Sequence, residues 1–397
     1  MRNKTFFGDL AFPTLGIKQS EQTKKILHDT VESLNFTDRL NIIAMIAYGT
    51  LISGEGAPPF SDLELYAITR FYDPAIVRRL EKLLNERKPP VVMSVGQLHF
   101  SLLKRWKSIQ ACDIESSGKV FYGNPNILNS FNVLPSQIPK YDSIKILLNL
   151  GVDKLNMAMT ADILNKGGVH KSQKGKFCFN CVKANITVCR ALLSFVGKYR
   201  SSIAEGATLF KTMYKDCFPS LHRLNPSLAD NILQATYVRL SFNYDQVRDP
   251  ISYWFETRRN VKDALIFLLQ NYFHKSTNNE YELISLLETF PHNIAGNLVY
   301  MIRLLLLRNA RMKKRMITLR NLMTDPWIKV HIANCFLLLA VNEDNTINEN
   351  LAKHAYAKLQ EAFTLDKSTV LDSNAWDRSR EMIIRLNESS ILPQPLT

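Results

Sequence analysis

Residues 48–65 read YGTLISGEGAPPFSDLEL, and the pattern around them decides the fold of the N-terminal part of the chain. The apolar run IIAMIAYGTL at 42–51 predicts a buried strand that ends in Gly-Thr. A loop rich in glycine and proline follows, and DLELYAIT at 62–69 predicts the next strand. Two strands are therefore expected on either side of a loop that exposes much of its backbone.

The second strand begins with two acids separated by one residue. Successive side chains of a strand alternate between its faces, so Asp62 and Glu64 should project together while Leu63 and Leu65 pack the other way. Two neighbouring carboxylates repel each other unless a cation lies between them. Hard oxygen ligands suit Mg²⁺, which takes its remaining ligands from water and phosphate.

The end of the first strand supplies the complementary half of such a site. Gly49 lacks a side chain, so a phosphate group can approach the backbone amides there, and Thr50 adds a hydroxyl. The pattern predicts a site for a magnesium-bound triphosphate. The loop and the hydroxyl would bind phosphate, and the two acids would bind the metal.

This motif resembles that of the DNA-polymerase-β-like nucleotidyltransferase superfamily, in which an apolar residue, Gly and Gly or Ser precede a spacer and an Asp-apolar-Asp/Glu-apolar strand. Ser61, just before the first acid, also fits the frequent Ser-Asp form. Ser53 departs from the pattern, because many small members have Arg there, and one candidate phosphate contact is lost. Here the motif reads Tyr48-Gly49-Thr50, eleven further residues, and Asp62-Leu63-Glu64-Leu65.

The resemblance implies a third carboxylate on a later strand. The segment SIQACDIESSGKVFYGN at 108–124 offers one, and its GKVFYG portion resembles the segment that closes the catalytic core of many small members. We expect a strand over 108–115 with Asp113 and Glu115 on one face. Asp113 is the preferred third acid because it lies deeper in the apolar run, and Glu115 is the second choice.

The resemblance, which covers about residues 40–125, implies a Mg²⁺-dependent nucleotidyltransferase. It would move a nucleoside monophosphate, with AMP from ATP as the first candidate, onto a hydroxyl of a small molecule or a protein and release pyrophosphate. A two-metal site is implied, with ATP or another nucleoside triphosphate as donor. The implied metal ligands and catalytic acids are Asp62, Glu64 and Asp113, and the nucleotide-binding residues are Gly49, Thr50, Ser61 and Lys104.

Two other functions stay open at this point. One is a catalytically inactive nucleotide-binding or interaction protein built on the same fold. The other is a nucleotidyltransferase directed to RNA, for which the basic helix predicted at 308–320 would supply phosphate contacts. Nucleic acid is not favoured as a partner, because no aromatic residues interleave with that basic run.

The rest of the chain predicts a large helical region. The segment DPAIVRRLEKLLNE at 73–86 predicts a helix with Asp73 as its N-cap, and long helical patterns dominate after Pro135. The expected fold is an α+β nucleotidyltransferase domain with a mixed sheet, followed by an all-α region. We place the catalytic domain at 1–138, a helical bundle that binds the acceptor at 139–278, and a C-terminal helical region at 279–397.

Composition restricts the setting of the protein. The chain has 397 residues, 46% of them apolar, and a net charge of +14, which permits polyanionic partners without choosing among them. No apolar run approaches the length of a membrane span, so we expect no membrane association and a cytoplasmic location.

The segment 167–181, GGVHKSQKGKFCFNC, allows two further hypotheses. The basic stretch 167–176 is expected to be a loop whose lysines could reach a phosphate. His170 with Cys178, Cys181 and Cys189 could formally ligate zinc, but buried thiols fit the helical spacing better.

Overall fold

The computed structural model describes residues 8–277, 279–290, 326–363 and 375–388. The chain divides into two compact units. The first consists of Met1–Ser143, Leu193–Met213 and Leu233–Asn243, and the second of Ile144–Leu192, Tyr214–Ile232 and Tyr244–Thr397. Among the described residues, no helix combines the length and apolar character needed to cross a membrane.

The first unit is built on a mixed four-stranded sheet. Its strand order is β3-β2-β1-β4, with β1 antiparallel to both β2 and β4, and β2 parallel to β3. The strands predicted at 42–51 and 62–69 are confirmed as β1 and β2, and so is the mixed sheet. The strands are β1 (Ile42–Tyr48), β2 (Leu63–Thr69), β3 (Met93–His99) and β4 (Lys119–Gly123).

Helices of the first unit pack on both faces of this sheet and connect its strands. As predicted, Asp73 caps α4, where its carboxylate accepts a hydrogen bond from the backbone N–H of Ala75 at 2.9 Å. Leu80 and Leu84 of α4 pack with Leu63 and Leu65 of β2 in one apolar core. The helices up to residue 146 are α1 (Ile17–Glu32), α2 (Phe36–Asn41), α3 (Thr50–Ser53), α4 (Pro74–Glu86), α5 (Ile109–Ser117) and α6 (Lys140–Ile146), with short 3₁₀ turns at Phe100–Leu102, Pro125–Ser130 and Pro135–Gln137.

The strand predicted over 108–115 is wrong, because these residues form helix α5. The Ser108 hydroxyl accepts from the backbone N–H of Ala111 at 3.0 Å, and Asp142 accepts from the N–H of Ile109 at 3.0 Å. Two acceptors thus bind N–H groups of the first helical turn. These capping hydrogen bonds cannot be predicted from the periodicity of a short apolar run. Asp113 and Glu115 therefore do not share a face, since residues two apart on a helix point about 200° from each other.

The later helices fill the second unit and contribute segments to the first. After a π-helical stretch at Leu147–Val152, they are α7 (Asp153–Ala158), α8 (Ala161–Lys166), α9 (Lys171–Phe195), α10 (Ile203–Cys217), α11 (Pro219–Leu224), α12 (Leu228–Ser241), α13 (Pro250–Phe273), α14 (Glu280–Ser285), α15 (Pro326–Ala340), α16 (Glu349–Phe363) and α17 (Ala375–Glu388), with 3₁₀ turns at Tyr244–Gln246 and Leu286–Thr289. The loop predicted at 167–176 is partly wrong, because α9 begins at Lys171. The basic run at 308–320 lies outside the described residues.

The three cysteines of α9 are buried free thiols, as predicted. Burial raises the pKa of Cys178 to about 11 and that of Cys189 to about 12. These thiols are therefore protonated at neutral pH, whereas zinc binds the thiolate. His170 has a separate role, because its Nδ1 accepts from the backbone N–H of Ser172 at 3.3 Å, where α9 begins.

The interior of the second unit contains a chain of buried asparagines. The Asn225 amide donates to Asn260 Oδ1 at 3.0 Å, and the Asn260 amide donates to Asn185 Oδ1 at 2.9 Å. Asn185 in turn donates to the Thr257 hydroxyl at 2.9 Å. These hydrogen bonds fix the relative positions of α9, of α13 and of the residues that precede α12. If one helix slid along its neighbour, the buried amides would lose their partners.

Candidate functional site

The turn after β1 lies directly beside Glu64. Gly49 has a φ of 91°, and its carbonyl accepts from the N–H groups of Ile52 and Ser53 at 3.0 and 3.1 Å, which starts α3. Glu64 pairs with Tyr48 across the sheet. A Cβ added to Gly49 would lie 2.9 Å from Glu64 Oε2, so the carboxylate rests against the glycine. Two elements predicted from the sequence, the phosphate turn and an acid, are thus adjacent.

The two acids of the motif differ in their surroundings. Leu63 and Leu65 are fully buried in the core, as predicted from strand alternation. Glu64 between them is half-buried, and Asp62 is exposed just before β2 begins. Within the motif, the Glu64 carboxylate therefore lies at the Gly49 turn, and the Asp62 carboxylate is exposed to solvent.

Asp113, not Glu115, lies on the Glu64 side of α5. Glu115 Oε2 accepts from the backbone N–H of Val133 at 2.7 Å and anchors that segment. Burial, and after it the charges of Glu64 and Asp113 among its neighbours, raise the pKa of Tyr48 well above its usual value. Both carboxylates are therefore near the same buried hydroxyl.

Asp113 is also fixed by a residue from a later part of the first unit. The Tyr199 hydroxyl donates to Asp113 Oδ1 at 2.6 Å. Tyr199 is buried and lies between α9 and α10, within the segment Leu193–Met213. The position of the candidate third acid thus depends on a side chain far along the sequence.

Tyr48 and Tyr66, beside Glu64 in the sheet, are both hydrogen-bonded to Gln110. The Gln110 amide donates to the Tyr48 hydroxyl at 2.7 Å, and the Tyr66 hydroxyl donates to Gln110 Oε1 at 3.2 Å. The two rings meet edge to face with centroids 5.8 Å apart. Gln110 of α5 therefore links both strands of the motif to the helix that carries Asp113.

The loop between β1 and β2 is held by a buried arginine from α12. Arg239 is 6% exposed, and its Nη2 donates to the Ser61 hydroxyl at 2.8 Å and to the Thr50 hydroxyl at 3.3 Å. Gly56 passes directly over these hydroxyls. A Cβ added to it would lie 2.3 Å from Thr50 Oγ1 and 2.4 Å from Ser61 Oγ.

Glu55 of the same loop binds the beginning of α10. Its carboxylate accepts from the Ser202 hydroxyl at 2.8 Å and from the N–H groups of Ile203 and Ala204 at 3.0 and 3.3 Å. These are the groups that a helix leaves without partners in its first turn, and the negative charge suits the helix dipole. The loop is thus fastened at both of its halves.

The other predicted nucleotide-binding residues lie in different settings. Ser61 is buried with its hydroxyl on Arg239. Lys104 is exposed and follows the end of β3 that pairs with Thr69, whereas Glu64 lies near the other end of β2. The structure therefore brings Gly49, Thr50 and Ser61 together and gives Lys104 no place beside them among the described contacts.

The donor set fits one magnesium ion better than two. Mg²⁺ is commonly bound by one or two carboxylates with water and phosphate oxygens, and Asp62 and Glu64 can supply that number. Within the described ranges, no three His, Cys, Asp or Glu side chains form a group able to hold a metal ion. The residue of β3 beside Glu64 is Ser94, so the neighbouring strand adds no carboxylate there. The implied three-acid, two-metal arrangement is thus not assembled in these ranges.

Tyr199, Arg239 and Glu55 are contacts that sequence reasoning missed. Glu55 lies within residues 48–65, but the residues around it do not indicate that its partner is a helix beginning at Ile203. Arg239 belongs to a helical stretch and Tyr199 lies between two of them, and the patterns of these stretches indicate only buried faces. A signal for them would have required contacts between positions far apart in the chain.

We found no family model, no curated protein and no solved structure that matches this chain. The resemblance to nucleotidyltransferases therefore depends on the motif residues and on their arrangement around Gly49 and Glu64.

Proposed function

We propose that the first unit binds a magnesium-bound nucleoside triphosphate, transfers its nucleoside monophosphate onto a hydroxyl acceptor and releases pyrophosphate. The observation that supports this most is the contact between the Glu64 carboxylate and Gly49. It brings a carboxylate that could hold a metal ion to a turn where glycine leaves the backbone without a side chain. ATP is the first candidate donor, and the acceptor would be a small molecule or a protein.

Three groups of residues would bind the phosphate chain, the metal ion and the proton of the acceptor. Thr50 and the backbone at Gly49 would bind the phosphate chain, and Asp62 and Glu64 would hold the magnesium ion. The bound ion would neutralise part of the charge on the triphosphate. Asp113 accepts the proton of the attacking hydroxyl, since a carboxylate can accept further hydrogen bonds beside the one from Tyr199.

The test is binding and turnover of the four common nucleoside triphosphates with Mg²⁺, labelled at the α-phosphate. E64Q changes the charge but little of the shape, and we expect it to weaken magnesium-dependent binding at least tenfold and to abolish label transfer. E86Q is the matched control, because Glu86 is an exposed acid of α4. Failure of the wild-type protein to bind any of the four nucleotides would refute the proposal.

A second candidate is nucleotide binding without transfer. It is favoured by the hydrogen bond from Tyr199 to Asp113 and by the lack of a three-acid group in the described part of the chain. Under this alternative, the wild type binds MgATP, no label moves to any acceptor, and D113N binds as the wild type does. Under the transferase proposal, D113N keeps binding and loses transfer.

A further inference from the structure

We propose that Arg239 is a positioning residue of the nucleotide site, which sets the Thr50 hydroxyl as a donor toward the phosphate chain. This inference rests on the proposed function. It assigns a role in the site to a residue of α12 that follows the motif by more than 170 positions. The substrate group concerned is the triphosphate, not the nucleoside.

The direction of the hydrogen bonds follows from the chemistry of the guanidinium. An arginine side chain has only donors, so the hydroxyl oxygens of Thr50 and Ser61 must act as acceptors toward it. A hydroxyl that accepts through its oxygen still has its own hydrogen to donate. The contact thus turns the lone pairs of Thr50 toward Arg239 and leaves its hydrogen for another acceptor.

The contact of Arg239 with the two hydroxyls is part of the buried interior of the unit. Arg239 is buried, and Ser61 is 5% exposed, so the guanidinium is anchored on a hydroxyl inside the unit. Gly56 lies over the pair and closes it from the loop side. Of the two hydroxyl residues, only Thr50 is half-buried, and it directly follows Gly49, which lies against the Glu64 carboxylate.

Such a site favours a ligand group with acceptors only. The oxygens of an ionised phosphate accept hydrogen bonds and carry negative charge, which the nearby guanidinium also attracts. A ribose or an amine offers donors and gains nothing from this charge. The positioning role therefore predicts an effect on the affinity for phosphate chains that is absent for a nucleoside.

The experiment measures the dissociation constants of MgATP, inorganic triphosphate with Mg²⁺, and adenosine for R239M, T50V and the double variant. We expect R239M to weaken MgATP and inorganic triphosphate about tenfold or more and to leave adenosine unchanged. In the T50V background, R239M should have little further effect, because the hydroxyl through which it acts is gone. R239K, which is also a donor-only cation, should recover part of the affinity.

The outcomes separate the two proposals. If the wild type binds MgATP and R239M binds it equally well, only the inference on Arg239 fails. Equal losses for MgATP and adenosine, or additive effects of R239M and T50V, would show a merely structural role and overturn it as well. If the wild type binds no nucleotide, the proposed function and this inference fail together. Thermal unfolding of each variant checks the fold, and the R239K and T50V measurements still decide the question if R239M does not fold.

Discussion

Gly49 is the residue at which the motif depends most on the absence of a side chain. Its φ of 91° and ψ of −173° belong to a region open almost only to glycine. We expect G49A to lower the free energy of unfolding by about 1–3 kcal/mol from backbone strain alone. The close approach of Glu64 Oε2 adds to this cost, because the new methyl group would displace the carboxylate.

Two other glycines serve as matched controls for G49A. Gly167 has a φ of 61° with open space around it, so G167A should show backbone strain without a collision. Gly168 has no left-handed φ and no atom within 4 Å of an added Cβ, so G168A should be nearly neutral. Urea unfolding of the three variants separates strain from collision. Equal losses of stability for G49A and G167A would contradict the close packing of Glu64 on the turn.

The two acids of α5 have different tasks, which two variants can separate. Glu115 accepts a backbone N–H at 2.7 Å and is remote from the Glu64 side of the helix. We expect E115A to lower the free energy of unfolding by about 1–3 kcal/mol, the cost of leaving a partly buried N–H without its charged acceptor. MgATP binding should be unchanged. A loss of nucleotide binding in E115A with intact stability would instead restore Glu115 as the third acid.

At the scale of residues, the sequence is informative where the site is local. Gly49 and Glu64 are fifteen positions apart, and the strand pattern around them predicts that they meet. The orientation of Asp113 could not be predicted, because it depends on whether 108–115 is a strand or a helix. Arg239 could not be predicted either, because its contacts span 178 and 189 positions.

At the scale of elements, α5 shows why the predicted strand failed. The run SIQACDIE is short, and its apolar residues fit the period of a strand as well as that of a helix. The hydrogen bonds that cap the first turn therefore favour the helix. S108A removes the hydroxyl that accepts from Ala111, and we expect it to cost about 1 kcal/mol of stability. S116A is the control, since Ser116 is exposed and its hydroxyl only donates within the helix, to the Asp113 carbonyl. Equal unfolding midpoints for S108A and S116A would show that the cap is not what holds α5.

The start of α4 makes stability depend on pH. Burial opposes ionisation of Asp73, but its hydrogen bond from Arg79 at 2.7 Å and the N–H of Ala75 lower the pKa of its carboxyl overall. A lowered pKa in the folded state stabilises the protein above the ordinary aspartate pKa. This contribution is lost as the pH falls below about 4.

D73N tests this contribution without removing the cap, because asparagine caps helices as well as aspartate does. Both partners of the ion pair are 38% exposed, so we expect a loss of less than about 1 kcal/mol at pH 7. The difference from the wild type should shrink as the pH falls from 7 to 3, because protonation removes the charge of the carboxylate. D9N is the control, because the Asp9 carboxylate is 88% exposed in its pair with Lys24. An equal loss for D73N at both pH values would contradict the ionic origin of the effect.

At the scale of the whole molecule, the first unit is not a continuous piece of sequence. The predicted catalytic domain ended at residue 138, and the first segment of the unit ends at Ser143. Two later segments, Leu193–Met213 and Leu233–Asn243, belong to the same unit. Composition and periodicity change once, near Pro135, so they indicate where helices begin and not which unit each helix completes.

This composition of the unit predicts that residues 1–143 do not form a stable domain by themselves. The fragment lacks Tyr199 and Arg239, which bind Asp113, Thr50 and Ser61, and it lacks the helix start that binds Glu55. Removing Arg239 alone leaves two hydroxyls without a charged donor, and removing the segments takes away buried apolar side chains such as Phe210. We expect the fragment to unfold without a cooperative transition and to bind a dye for exposed apolar surface.

The full chain with E55A provides the matched comparison. It keeps every segment and removes only the carboxylate at the start of α10, so it should unfold cooperatively with a loss of about 1–2 kcal/mol. If the fragment 1–143 unfolds cooperatively with the stability of the full chain, the later segments are attached to the unit without completing it. The positions of Asp113 and Thr50 would then be set by the N-terminal residues alone. If the fragment is unstable while E55A is only weakened, the site depends on helices that follow it in sequence. The distribution of stabilising contacts over three segments favours this second result.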